Sequence, residues 1–163
     1  MKEIKVLDKF SAAKHKPLPR TVLIRIFGSD PLINMTYPPL QHGESFARIL
    51  EYVFDDLTPV QFEEYLAEGH KGLKLFSASH AEQIISDFNR VRVVSDHLVA
   101  HCNAGESRGP ALAAALNHIF KFGIADEDYL YSDCRPNMHV YATLVYVARE
   151  RFGLEFKARL HGE

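Results

Sequence analysis

The sequence predicts an α/β fold: a single domain, residues 1–163, with a central, mostly parallel sheet flanked by helices. Three observations predict it. Short apolar runs rich in β-branched residues alternate with segments of helical periodicity. The segments between strands are long enough for crossover helices rather than hairpin turns. No internal repeat, low-complexity tract or Gly/Ser linker divides the 163 residues, which suffice for one core and are too few for two ordinary ones.

The elements follow in chain order. "EIKVLD" reads as a short strand and "DKFSAAK" as a short helix opened by Asp8. "TVLIRIF", Thr21 to Phe27, is a buried strand closed by Gly28-Ser29-Asp30-Pro31. "NMTYPPLQHGES" reads as a loop, and "FARILEYVF", Phe46 to Phe54, as a strand ending in Asp55-Asp56. In "TPVQFEEYLAEG", Thr58 is placed to cap a helix with Pro59 at its first position. A helix over Ser79 to Val93 sets Ala81, Ile84, Ile85 and Phe88 on one face. "HLVAHC" is a buried strand and "RGPALAAALNHIFKF" a helix. "DEDYLYSDC" reads as a short helix, and "PNMHVYATLVYVARERF" as a long one with a Val140, Leu144, Val147 stripe. So many helices after the last strand predict one heavily covered sheet face.

Composition excludes several classes. Hydrophobic residues make up 47% and charged residues 25%, which is globular and not disordered. A formal net charge of −2 gives no basic field for nucleic acid or an anionic membrane, so neither is expected as a partner. No apolar run approaches the ~18 residues of a membrane span. "MKEIKVLDKF" lacks a signal-peptide core, and two cysteines, Cys102 and Cys134, make no disulfide framework; a cytoplasmic setting is the expectation. The sequence carries no signature of oligomeric state.

The chemistry concentrates in "HCNAGESR", His101 to Arg108, between a buried strand and a buried helix. Backbone N–H groups of a tight loop before a helix form an anion-binding nest, and the helix N-terminus adds its own donors. Gly105 allows the positive φ such a loop needs. Arg108 offers a planar charged fork matched to two phosphoryl oxygens. A thiol at the bottom of this cup loses its proton readily and faces the bound oxyanion, the arrangement for nucleophilic attack on phosphorus.

These residues resemble the phosphate loop of the cysteine-dependent protein tyrosine and dual-specificity phosphatases, His-Cys-x-x-Gly-x-[Ser/Thr/Gly]-Arg. The Cys-x-Ala-Gly-x-Ser-Arg form is most similar to the compact dual-specificity branch and its bacterial relatives. The resemblance is specific over Leu98 to Ala115 and looser elsewhere, in "TVLIRIF", "VFDDL" and "RPNMHVY". It implies hydrolysis of phosphomonoesters, of phosphorylated proteins foremost, through a phosphocysteine, with no metal or cofactor. It implies Cys102 as nucleophile and Arg108 as phosphate ligand. His101 would orient the loop and help acidify the thiol, and Ser107 would bond within the loop. Asn103, Ala104, Gly105, Glu106 and Gly109 complete the substrate-binding set.

A leaving group needs a proton donor. The family's acid is an aspartate on a separate, upstream loop. Asp87 lies within a helix and Asp96 beside a strand, whereas Asp55 and Asp56 stand at a strand's C-terminal end, where open α/β sheets bind ligands. "VFDDL" resembles the bacterial Phe-x-Asp-[Ile/Leu] pattern, which favours Asp56 over Asp55; Asp133 is next in line. The helical segment from Asp56 to Cys102 is longer than in compact relatives.

Two departures matter. Gly109 stands where most relatives carry Ser or Thr, whose hydroxyl supports the departing thiolate; a glycine predicts slow hydrolysis of the phosphocysteine. Glu106 adds a negative charge to the loop. The alternatives are a rhodanese-like sulfurtransferase or phosphatase, which Gly105-x-Ser107-Arg108 argues against, and a catalytically weak phosphoprotein-binding module, which Cys102 together with Arg108 argues against. A metal held by His97, His101 and Cys102 suits a helix better than the strand read here.

Overall fold

The structure is a computed structural model and describes residues 1–124 and 134–153. Its centre is a four-stranded sheet in the order β1-β4-β2-β3, with β1 Glu3–Leu7, β2 Thr21–Phe27, β3 Arg48–Val53 and β4 His97–His101. Every pairing is parallel, so the predicted α/β class holds. Parallel pairing also brings all four strand C-termini to one edge. Leu7, His101, Arg25 and Glu51 share a single register row near that edge.

Six helices connect and cover the sheet among the described residues: α1 Lys9–Lys14, α2 Pro31–Asn34, α3 Pro59–Ala67, α4 Ala78–Val91, α5 Arg108–Phe120 and α6 Met138–Phe152. Asp8 caps α1 by accepting from the N–H groups of Phe10 and Ser11. Thr58 and Gln61 close a capping box on α3, with Pro59 at its first position.

The two sheet faces are unequal. One carries the main core, where Ile24, Ile26, Phe54, Leu98 and Ala100 meet α4, α5 and α6 through Ile84, Phe88, Leu112, Leu116 and Leu144. α5 is buried from Arg108 to Asn117, and its run of alanines lets it sit close to the strands. The other face carries a smaller cluster of Leu23, Phe46 and Val99, with Leu7 and Leu40 against them. The predicted heavy covering of one face is therefore present.

Three local expectations are revised. β3 starts at Arg48; Phe46 instead ends a 3₁₀ turn, Gly43–Ser45, and stays buried as an anchor of the smaller core. The helix expected to reach Val93 ends at Val91 and tightens into a 3₁₀ turn, Arg92–Val94. The short α2 was not expected; Asp30 caps it and Pro31 opens it. The helix expected in "DEDYLYSDC" lies outside the described residues except for Cys134.

Candidate active site

The site is built at the C-terminal edge of the sheet, where open α/β folds bind ligands. β4 delivers His101 and Cys102, and α5 begins at Arg108. The intervening loop is pinned from outside through its carbonyls. The Asn103 carbonyl accepts from Lys9 N–H at 3.2 Å, that of Glu106 from Arg135 N–H at 2.8 Å, and that of Ser107 from Asn137 N–H at 3.3 Å. The Gly105 carbonyl faces the Cys134 thiol at 3.9 Å. The N–H groups of residues 103 to 107, by contrast, donate to no acceptor among the described residues. A tight loop before a helix, with its carbonyls engaged outward and its N–H groups without an acceptor among the described residues, is organised to receive an anion.

Gly105 is required twice over. Its φ is +75°, and a Cβ there would lie 2.7 Å from Asp8 N and 2.8 Å from Leu7 C. The turn after β1 is thus wedged against the loop, leaving no room for a side chain.

Cys102 is buried at the base of the loop. Its sulfur accepts the Gly109 N–H at 3.4 Å. This backbone donor would be present with a Ser or Thr as well; the side-chain hydroxyl that glycine lacks is not replaced by it. A Cβ on Gly109 would stand 3.6 Å from that sulfur and 3.3 Å from Val6 Cγ1.

Arg108 lies at the start of α5 with its side chain inside. Its Nη1 donates to the carbonyls of Phe27, the last residue of β2, at 3.1 Å and of Phe54, just after β3, at 2.8 Å. Its Nε is buried without a partner among the described residues. One arm of the guanidinium is therefore anchored by two strand ends while the remaining edge keeps an unspent donor. Tyr37 closes this side, its hydroxyl on the Ile26 carbonyl at 3.0 Å and its ring against Phe27 and His101. Burial holds the Tyr37 phenol above its usual range, and the nearby Arg108 and Cys102 act on it in opposite directions.

His101 differs from expectation. Burial, aided by the Arg25 guanidinium, pushes its imidazole down to about 4, so at neutral pH the ring is uncharged. It contributes no positive charge to the thiol. Arg25 Nε donates to its Nε2 at 3.2 Å.

The two aspartates of "VFDDL" part company. Asp55 accepts Ser29 N–H and Lys74 N–H, each at 2.7 Å, one on each carboxylate oxygen. Asp56 is exposed and turns to the loop, accepting the Ser107 hydroxyl at 2.7 Å and the Asn137 side-chain amide at 2.9 Å, both on Oδ1. Asp87 accepts the Tyr52 hydroxyl within α4, and Asp96 pairs with Lys2 near the opposite end of the sheet. Asp133 lies outside the described residues. Glu106 and Ala104 are exposed, so the Glu106 carboxylate is solvated. His97 and His101 stand at opposite ends of β4, about 13 Å apart at strand spacing, and cannot share an ion.

Two contributors were missed in the sequence. Asn137 caps α6, accepting from His139 and Val140 N–H, and also holds Asp56 and the Leu57 carbonyl. Its signal, an Asn before a helical period, was readable as a cap but not as a clamp. Arg25 was visible as the one charge within "TVLIRIF". Phe76 is a core residue packed on Phe54.

No protein-family model matches the chain, and no curated protein is similar to it in sequence. Solved structures are similar in fold. The crystal structure of Tk-PTP in the active form matches with a TM-score of 0.52 at 10% identity, over 90% of this chain and 92% of that one. A human tyrosine phosphatase-like serine/threonine/tyrosine-interacting protein matches with a TM-score of 0.46 at 18% identity, over 92% and 91%. With its parallel sheet and its strand–loop–helix at the C-terminal edge, the chain has the fold of the cysteine-dependent tyrosine and dual-specificity phosphatases.

Proposed function

We propose that the chain hydrolyses phosphomonoesters, with phosphorylated proteins as the foremost substrate class, through a phosphocysteine intermediate. The observation that carries this reading is the loop of unused N–H donors around Cys102, with the unspent Nε of Arg108 beside it. Such a cup fits three phosphoryl oxygens and the charge that develops on them.

The Cys102 thiolate attacks phosphorus, forming S–P and breaking P–O. The loop N–H groups and Arg108 hold the equatorial oxygens. Asp56, in its acid form, gives its proton to the leaving oxygen. The resulting carboxylate then takes a proton from water as the water's oxygen attacks phosphorus, which releases phosphate and the thiolate. The Gly109 N–H supports the sulfur as it attacks and again as it departs, while the hydroxyl that relatives add at this position is absent. Ser107 and Asn137 aim Asp56, and its second oxygen is left for the leaving group. Placing the acid on a separate turn, after β3, favours this chemistry over the rhodanese-like alternative. Asp55 has both oxygens committed to backbone and is given a structural role.

The test is turnover of p-nitrophenyl phosphate by wild type and Cys102→Ser, with chelator present. Turnover by wild type and none by the folded mutant is expected, since a serine hydroxyl stays protonated. Equal turnover by both would end the thiolate mechanism.

A further inference from the structure

The register row Leu7, His101, Arg25, Glu51 puts a guanidinium beside the residue that precedes Cys102, on one face of the sheet. A cation on an inner strand is costly unless it is paired, so its partners tell what it is for. Arg25 is held on three sides. Its Nη1 pairs with Glu51 Oε1 at 2.9 Å, its Cζ lies 4.9 Å from the Phe27 ring centroid, and its Nε reaches His101 Nε2 at 3.2 Å. Its side chain is only 15% exposed.

Building on the phosphatase reading above, we propose that Arg25 is a positioning residue: its Nε–H locks His101 as the neutral tautomer protonated on Nδ1 and so fixes the ring that precedes Cys102 at the entrance to the loop. The chemistry leaves one assignment. A guanidinium is always a donor, so Nε2 must carry a lone pair. An imidazolium has none to offer. The single proton of the neutral ring therefore sits on Nδ1.

His101 Nδ1 is buried without a hydrogen-bond partner among the described residues, so only its Nε2 is held by a donor. The groups facing the imidazole are Arg25 from β2, the Tyr37 ring from the segment after α2, Asp8 from the turn after β1, and the Cys102 backbone itself. Arg25 is the donor among them that contacts Nε2. The low basicity of the His101 imidazole agrees with a ring that stays neutral throughout the working pH range.

The test uses full-length protein labelled with ¹⁵N-histidine and long-range ¹H–¹⁵N spectra. In wild type, His101 is expected to show a lone-pair Nε2 and a protonated Nδ1, without titrating between pH ~5.5 and ~8. Arg25→Met removes the donor; His101 should then populate the other tautomer, and kcat on p-nitrophenyl phosphate should fall about tenfold or more as the loop loses its set. Arg25→Gln keeps an N–H donor without the charge and should restore the tautomer and most of the rate. Glu51→Gln removes the ion pair but leaves the donor, and should change neither. A protonated Nε2 or an imidazolium in wild type at pH ~7 would overturn the proposal, whether or not Arg25→Met folds. So would an Arg25→Gln tautomer no closer to wild type than that of Arg25→Met. The tautomer reads the lock without turnover, so a chain that locks His101 but fails to hydrolyse phosphate esters would overturn the function and leave the lock standing.

Discussion

The phosphate loop and the turn after β3 lie side by side and treat their polar groups in opposite ways. In the turn, Asp55 gives both carboxylate oxygens to backbone N–H groups, and its own N–H donates to the Lys74 carbonyl at 2.8 Å. In the loop, the carbonyls are engaged outward while the N–H groups of residues 103 to 107 donate to no acceptor among the described residues. The first arrangement is finished without a ligand. The second leaves donors open to an anion. Incomplete hydrogen bonding at the end of a rigid strand therefore separates a candidate site from a well-made turn, even where both contain the residue types that catalysis uses.

The comparison breaks most visibly at Arg108. Lysine there keeps a charge but loses the fork that holds two carbonyls and still presents Nε. Arg108→Lys is expected to lower kcat/KM on p-nitrophenyl phosphate by about 10²–10³-fold. Near wild-type kinetics would mean that the guanidinium does not touch the phosphate.

The two aspartates sharpen it next. Asp56→Ala should slow a phenyl or alkyl phosphate about a hundredfold while slowing p-nitrophenyl phosphate much less, because a good leaving group needs little protonation. Asp55→Ala should instead lower thermal stability, since two backbone donors lose their acceptor, and should slow both substrates alike. The opposite pattern would move the acid one residue back.

Much of this was legible in the sequence, for a physical reason. The apolar runs of β2 and β4 mark buried parallel strands, and Gly105 with Arg108 at fixed distances from Cys102 mark a loop whose geometry is local. The choice between Asp55 and Asp56 was not local. It rests on Ser107 and Asn137, which lie 51 and 81 positions from Asp56. The charge state of His101 was equally out of reach, since it depends on burial and on Arg25, 76 positions away. The Gly109 donor was missed because the sequence shows side chains, and this donor is backbone.

A smaller effect follows from His101. The folded chain keeps this imidazole neutral down to about 4, whereas the unfolded chain protonates it from about 6.5 downward. Stability present above pH 6.5 is therefore lost progressively as pH falls toward 4. The loss is about 2 kcal/mol at pH ~5 from this group alone. Burial also lowers His15 and His80, which add in the same direction. Urea denaturation at pH ~7.5 and ~5, compared between wild type and His101→Gln, measures it; an identical pH dependence in the two proteins would remove His101 as the cause.

The central claim is that the unused donors around Cys102 hold an anion, and amide chemical shifts read it directly. Inorganic phosphate titrated into the ¹⁵N-labelled chain should move the amide signals of residues 103 to 109 and the Nε–H signal of Arg108, saturably and with one common affinity, while the amides of Ser29 and Lys74 on Asp55 stay in place. Shifts of Ser29 and Lys74 without shifts in the loop, or no saturable shift at residues 103 to 109, would contradict it.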